Sequence, residues 1–245
     1  MRNATTEQLR EFETWLSLFT DGPIPETDEW KAWFCVAEYE RADFDRIADL
    51  LGDADARGSF AFLGRDAADH APIMRALDEA GHEVVFHSNR HHAYGDLSYE
   101  EAHDAITIGL AAFEAEADVR PDGFFAPFLD LSEGTVRAIE DVGFDWVLGR
   151  ADEGPAGVDL LEPVIPFDTR LLPEHPPDAV MDRLRDEAAD GNEPFLFHPP
   201  VVEYYDGLDA FASWIADVSP VTVREQLEGD GPGVVLDGIR PVRVE

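Results

Sequence analysis

Short apolar runs that alternate with amphipathic stretches constrain this chain more than any other feature. Strand-like runs stand at about 33–38 (Trp-Phe-Cys-Val-Ala-Glu), 59–63, 83–86, 123–126, 145–148, 163–167 and 194–198. Helical periodicity fills about 43–56, 66–80, 98–117, 132–142 and 178–190. Strands separated by helices predict a parallel sheet with right-handed crossovers. The runs are apolar on both faces, as a sheet needs when helices cover one side and side chains fill the other. An open doubly wound sheet and a barrel both satisfy this pattern. Both place ligand chemistry at the carboxyl ends of the strands.

The punctuation agrees. Ser98 and Glu101 form a capping box at the start of a long helix, and Ser132 suits the cap of the next. Gly81 and Gly143 stand where helices must stop before strands. Leu9, Phe12, Leu16 and Phe19 predict an opening helix over 5–20, ended by Asp21-Gly22-Pro23. Residues 149–162 are rich in Gly, Asp and Pro and read as a loop. The segment 219–245 reads as a C-terminal extension, a small appended strand pair. With no long linker, the 245 residues are expected to form one domain.

Composition removes several functions. There are 53 Asp or Glu against 18 Lys or Arg, a formal net charge of −35, with the acids spread along the whole chain. Such a surface repels itself in dilute salt, and the repulsion fades at molar salt, where the screening length falls to about 3 Å. This suits the cytoplasm of a salt-accumulating organism such as a halophilic archaeon. Nucleic-acid binding through a basic face is excluded. Cys35 is the sole cysteine, so neither an intramolecular disulfide nor a cysteine-based zinc site is expected. Charged residues near the start argue against a signal peptide, and no apolar run reaches membrane-spanning length. Oligomeric state is not readable from the sequence.

The residues with chemical potential sit at the ends of the expected strands. His87 and His91 follow the run 83–86, and two imidazoles four apart can meet one divalent ion if the chain turns helically there. The alternative is that His91 and His92 are solvated loop residues. Glu38 and Glu40 end the run 33–38, two apart and so on one side of a strand. Two carboxylates and two imidazoles suffice for a two-histidine, one-carboxylate metal site with a spare general base. His198 ends the run 194–198 before two prolines and is a candidate general acid. Tyr204 and Tyr205 can stack on a sugar ring or pack against the rim.

Taken in order, these segments resemble the polysaccharide deacetylase family. Gly-His-Glu-Val-Val-Phe-His-Ser-Asn-Arg-His over 81–91 resembles its second motif, in which two histidines bind a metal. Ser-Phe-Ala-Phe-Leu-Gly over 59–64, Phe-Phe-Ala-Pro-Phe over 124–128 and Leu-Phe-His over 196–198 resemble others. The resemblance implies a distorted seven-stranded (β/α) barrel and a divalent metal, zinc foremost, held by Glu40, His87 and His91. It further implies Glu38 as catalytic base, His198 as catalytic acid, the backbone N–H of Phe128 at the oxyanion, and an N-acetylated sugar or small amide as substrate. Phe125 stands where the family carries an arginine against the base. A non-catalytic relative that binds carbohydrate or a partner is the alternative.

Overall fold

The computed structural model describes residues 41–91, 93–163, 171–172, 174–188 and 193–237. The expected helix over 5–20, the expected strand over 33–38 and nearly all of the expected strand over 163–167 lie outside these residues. The described elements, in chain order, begin with α1 (Arg41–Asp53), β1 (Ser59–Phe62), α2 (Ala67–Glu79), β2 (Glu83–Phe86), α3 (Tyr99–Ala117), β3 (Gly123–Asp130), α4 (Glu133–Val142) and β4 (Trp146–Arg150). They continue with β5 (Asp159–Leu161), α5 (Pro177–Ala188), β6 (Phe195–Phe197), α6 (Pro199–Tyr204), α7 (Leu208–Val218), α8 (Val223–Glu228) and β7 (Val234–Asp237). The seven strands form one sheet in the order β5-β4-β3-β2-β1-β7-β6, and every pairing is parallel.

Two elements depart from the sequence reading. Residues 159–161, read as loop, form a short edge strand paired to β4. Three residues are too few to show a period. The segment 219–245, read as an appended strand pair, instead supplies helix α8 and strand β7, and β7 lies inside the sheet between β1 and β6. Its residues 234–237 are all buried.

Side-chain alternation divides the core in two. Phe60, Phe62, Val84, Phe86, Phe195, Phe197, Val234 and Leu236 face the helices in the larger cluster. Ala61, Val85, Phe125, Trp146, Leu148, Leu196 and Val235 form a second cluster on the opposite face. Trp146 of β4 and Leu196 of β6 share that cluster although four strands separate them. The seven parallel strands form a curled half-barrel with this cluster on its inner face. The expected (β/α) barrel architecture is observed.

The caps form as the sequence indicates. Ser98 and Glu101 make a complete capping box on α3, Ser132 accepts from the Thr135 N–H at the start of α4, and Gly143 ends α4 at φ 78°. The amino-terminal end of the barrel is closed by Glu83, which opens β2. One carboxylate oxygen accepts from Trp146 Nε1 at 2.9 Å and the other from Ser59 Oγ at 2.5 Å. Ser59 Oγ in turn accepts from the Val223 N–H, tying α8 to the sheet. A Cβ at Gly123 would strike the Trp146 ring, so glycine is required there for the indole to reach Glu83.

Burial raises the Glu83 carboxyl above its ordinary 4.5, against the opposing pull of its hydrogen bonds to Ser59 and Trp146. A folded-state pKa above the unfolded one gives stability that is full below the unfolded value and is lost as pH rises through the folded value. Glu83→Gln sets an amide donor against one of two buried donors and is expected to cost about 1–3 kcal/mol. The gap between wild type and variant in urea unfolding should be widest at and below about pH 4.5 and narrow as pH rises above it.

Candidate functional site

The inward rows of three strands end in polar side chains at the carboxyl end of the barrel. Val85 faces inward on β2, so His87, two residues on, faces the same way. Leu196 does the same for His198 after β6, and Val235 for Asp237 at the end of β7. The β6–β7 register pairs Leu196 with Val235, which sets His198 beside Asp237. All three side chains are buried, with 1%, 2% and 1% of their residue surfaces exposed.

Asp237 lies between the two imidazoles. Its Oδ1 is 3.7 Å from His87 Nε2, and its Oδ2 is 3.4 Å from His198 Nε2. His87 Nδ1 donates to the Phe125 carbonyl at 2.8 Å, which fixes the tautomer of a neutral ring and turns the Nε2 lone pair toward Asp237. That buried Nε2 makes no hydrogen bond among the described residues. The Phe125 ring stacks on His87 with centroids 4.1 Å apart, so Phe125 holds the imidazole on two sides, through its ring and its carbonyl. His91 meets His87 edge-on at 4.9 Å and Phe128 at 4.7 Å.

Electrostatics follows from burial. Removal from water pushes the His87 and His91 imidazoles below their ordinary value, and for His91 the neighbouring His87 adds to the effect. Burial alone would raise the Asp237 carboxyl. The facing imidazoles, His87 foremost, offset this and hold it below the usual carboxylate range.

The backbone around the site is tightly specified. The His87 N–H donates to the Phe62 carbonyl at 2.8 Å, and Ser88 takes a positive φ of 70°. The turn is held from below, because the N–H groups of Gly64 and Arg65 donate to the carbonyls of Ser88 and Asn89. On the other side, β3 shifts register against β4 between Phe125 and Asp130, and Phe128 and Leu129 both sit at φ 60°. Two consecutive left-handed non-glycine residues beside buried histidines are strain of the kind that clusters at functional sites.

The structure thus brings together His87, His91, His198 and the Phe128 backbone from the sequence reading. Glu38 and Glu40 lie outside the described residues, as does the Tyr204 side chain. Tyr205 is half-buried against the helix-facing cluster. Asp237 escaped the sequence reading, although Val-Val-Leu-Asp over 234–237 has the form of Val-Val-Phe-His over 84–87. In a chain with 53 acids, one more did not stand out.

In donor type alone these residues suit a divalent cation. Among the described residues no three of His, Cys, Asp and Glu converge closely enough to grip an ion together.

Comparison with known proteins agrees with the architecture. The family model for polysaccharide deacetylase matches residues 12–147. A search of curated protein sequences found no match. Among solved structures, a putative polysaccharide deacetylase from Mycobacterium smegmatis is similar at TM-score 0.64 and 20% identity, over 87% of this chain and 85% of that one. A CE4 family pseudoenzyme from Bacillus anthracis is similar at TM-score 0.56 and 18% identity, over 83% of this chain. This chain spans 61% of the length of that pseudoenzyme. A family 4 acetyl xylan esterase from Clostridium thermocellum, solved with a cobalt ion, is similar at TM-score 0.52 and 17% identity, over 89% and 85% of the two chains.

The site turn depends on close backbone approach. A Cβ at Gly64 would fall 2.5 Å from Gly109 Cα and 3.0 Å from Asn89 Oδ1. Gly64→Ala is therefore expected to destabilise by about 1–3 kcal/mol and to displace the His87–His91 turn. Thermal unfolding would show the first effect and histidine NMR shifts the second.

Proposed function

Because this chain belongs to the polysaccharide deacetylase family, we propose that it is a metal-dependent hydrolase that removes acetyl or similar acyl groups from an N-acylated sugar or small amide. The observation that supports this most is the convergence of His87, His91 and His198 at one end of the barrel, two of them nearly inaccessible to water. Imidazoles on a solvated rim would not need the Phe125 carbonyl and ring to hold one of them in a single tautomer.

The metal, zinc by the nature of these donors, would be held by His87, His91 and a carboxylate. When bound, it would polarise the acyl carbonyl and lower the pKa of a water. The chain's own residues would do the rest. Glu38 takes the proton of the attacking water. The Phe128 N–H, in its left-handed turn, donates to the oxygen that gains charge. His198 gives a proton to the departing amine, leaving a free amine and acetate. Tyr204 and Tyr205, in and just after α6, are the residues proposed to stack on a sugar ring.

The acidity supports a salt-rich cytoplasm as the place of action. The unfolding temperature should climb as KCl rises from about 0.1 M to about 1 M, because screening relieves the self-repulsion of 35 net charges. A flat response would remove the halophilic reading.

The functional test is acetate release from N-acetylglucosamine oligomers by zinc-loaded protein in molar salt. His198→Asn is expected to lower kcat by about 10²–10⁴-fold, and His87→Ala to abolish both turnover and metal uptake. No release from any N-acetylated sugar, with zinc bound, would leave carbohydrate binding without hydrolysis as the function.

A further inference from the structure

We propose that Tyr94 is a positioning residue for this site: its phenol hydroxyl, acting through Ser88, sets the turn that carries His87 and His91. The inference rests on the hydrolase reading for its effect on turnover, and on the fold alone for its effect on the imidazoles.

Two buried hydroxyls stand at this turn. Tyr94 and Ser88 are 1% and 0% exposed, and among the described residues neither hydroxyl oxygen makes a hydrogen bond. Burial raises the Tyr94 phenol above its ordinary 10.0, while the Ser88 side chain and the Asn89 backbone pull it the other way, as groups standing against the phenol do. A hydroxyl both donates and accepts, so each of these can serve the other. A phenylalanine would pack equally well against Phe124, whose ring centroid is 5.4 Å away, without burying a polar atom. Apolar packing therefore accounts for the ring of Tyr94 and not for its oxygen.

The backbone shows what the contact joins. Tyr94 is fixed to the junction of β3 and α4, because its carbonyl accepts from Thr135 Oγ1 at 2.8 Å and from the Ser132 N–H at 3.2 Å, and it bridges to Leu131. Ser88 directly follows His87 at φ 70°, a left-handed conformation that a non-glycine residue keeps only where its surroundings impose it. Gly64 and Arg65, at the end of β1, donate to the Ser88 and Asn89 carbonyls. The phenol meets the same two residues from the end of β3, so the turn is gripped between two junctions. Displacing Ser88 would rotate His87 beside it and carry His91 along.

The test compares Tyr94→Phe, Ser88→Ala and the double variant with wild type in molar salt, by the ring-nitrogen NMR shifts of His87 and His91, with circular dichroism as a check on folding. Tyr99→Phe, which removes a hydroxyl bonded to Asp141, is the control and should leave these shifts as they are in wild type. Each single variant at the turn should move the shifts, and the double variant should move them no further. With zinc and N-acetylglucosamine oligomers, Tyr94→Phe should lower kcat by up to about 10²-fold, the cost of a misplacement of about 1 Å, with KM unchanged. Unmoved histidine shifts or an unchanged kcat in Tyr94→Phe, or shifts in the double variant equal to the sum of the two, would overturn the assignment. Should Tyr94→Phe not fold, the Tyr94 Cζ resonance is followed in Ser88→Ala, where a displaced resonance supports the contact and an unmoved one overturns it. A wild type that releases no acetate would end the hydrolase reading, and the histidine shifts would still decide the role of Tyr94.

Discussion

Inward alternation of the strands governs everything else in this molecule. A β-strand directs every second side chain to one face, and a curled parallel sheet gathers those faces into one small interior. Val85, Leu196 and Val235 occupy that interior, so the next inward residue on each strand is committed to its carboxyl end. His87, His198 and Asp237 meet there through backbone geometry alone. Burial pushes the His87 imidazole below its ordinary pKa, and the facing imidazoles hold the Asp237 carboxyl below the usual carboxylate range.

The two ends of the barrel use buried polar groups differently. At the amino end, each Glu83 oxygen has a defined donor, in Trp146 and Ser59, and the network joins β1, β2, β4 and α8. It is a closed arrangement that has no need of a ligand. At the carboxyl end, buried His87 Nε2 makes no hydrogen bond among the described residues, and Phe128 and Leu129 nearby take positive φ values.

Much of this was legible in the sequence. Helices α1 to α5 and strands β1 to β4 and β6 fall within a few residues of their expected places, because Ser98, Ser132, Gly81 and Gly143 act through local backbone chemistry that needs no tertiary context. His87 and His198 were visible because an imidazole after an apolar run is uncommon. Asp237 was not. Its strand is four residues long and lies beyond a helix of six, and only a long-range pairing with β1 and β6 makes it central. Phe125 was legible only as a departure from the motif the segment resembles, whereas its stacking on His87 and the carbonyl that fixes the His87 tautomer belong to the fold.

The account therefore comes down to one shared point in space at the carboxyl end of the barrel. Anomalous diffraction at the zinc absorption edge, from crystals grown in molar salt with the metal present, addresses it most directly. The account predicts a single peak within about 2.0–2.2 Å of a ring nitrogen of both His87 and His91. A peak away from these atoms, or none in metal-saturated crystals, would contradict it.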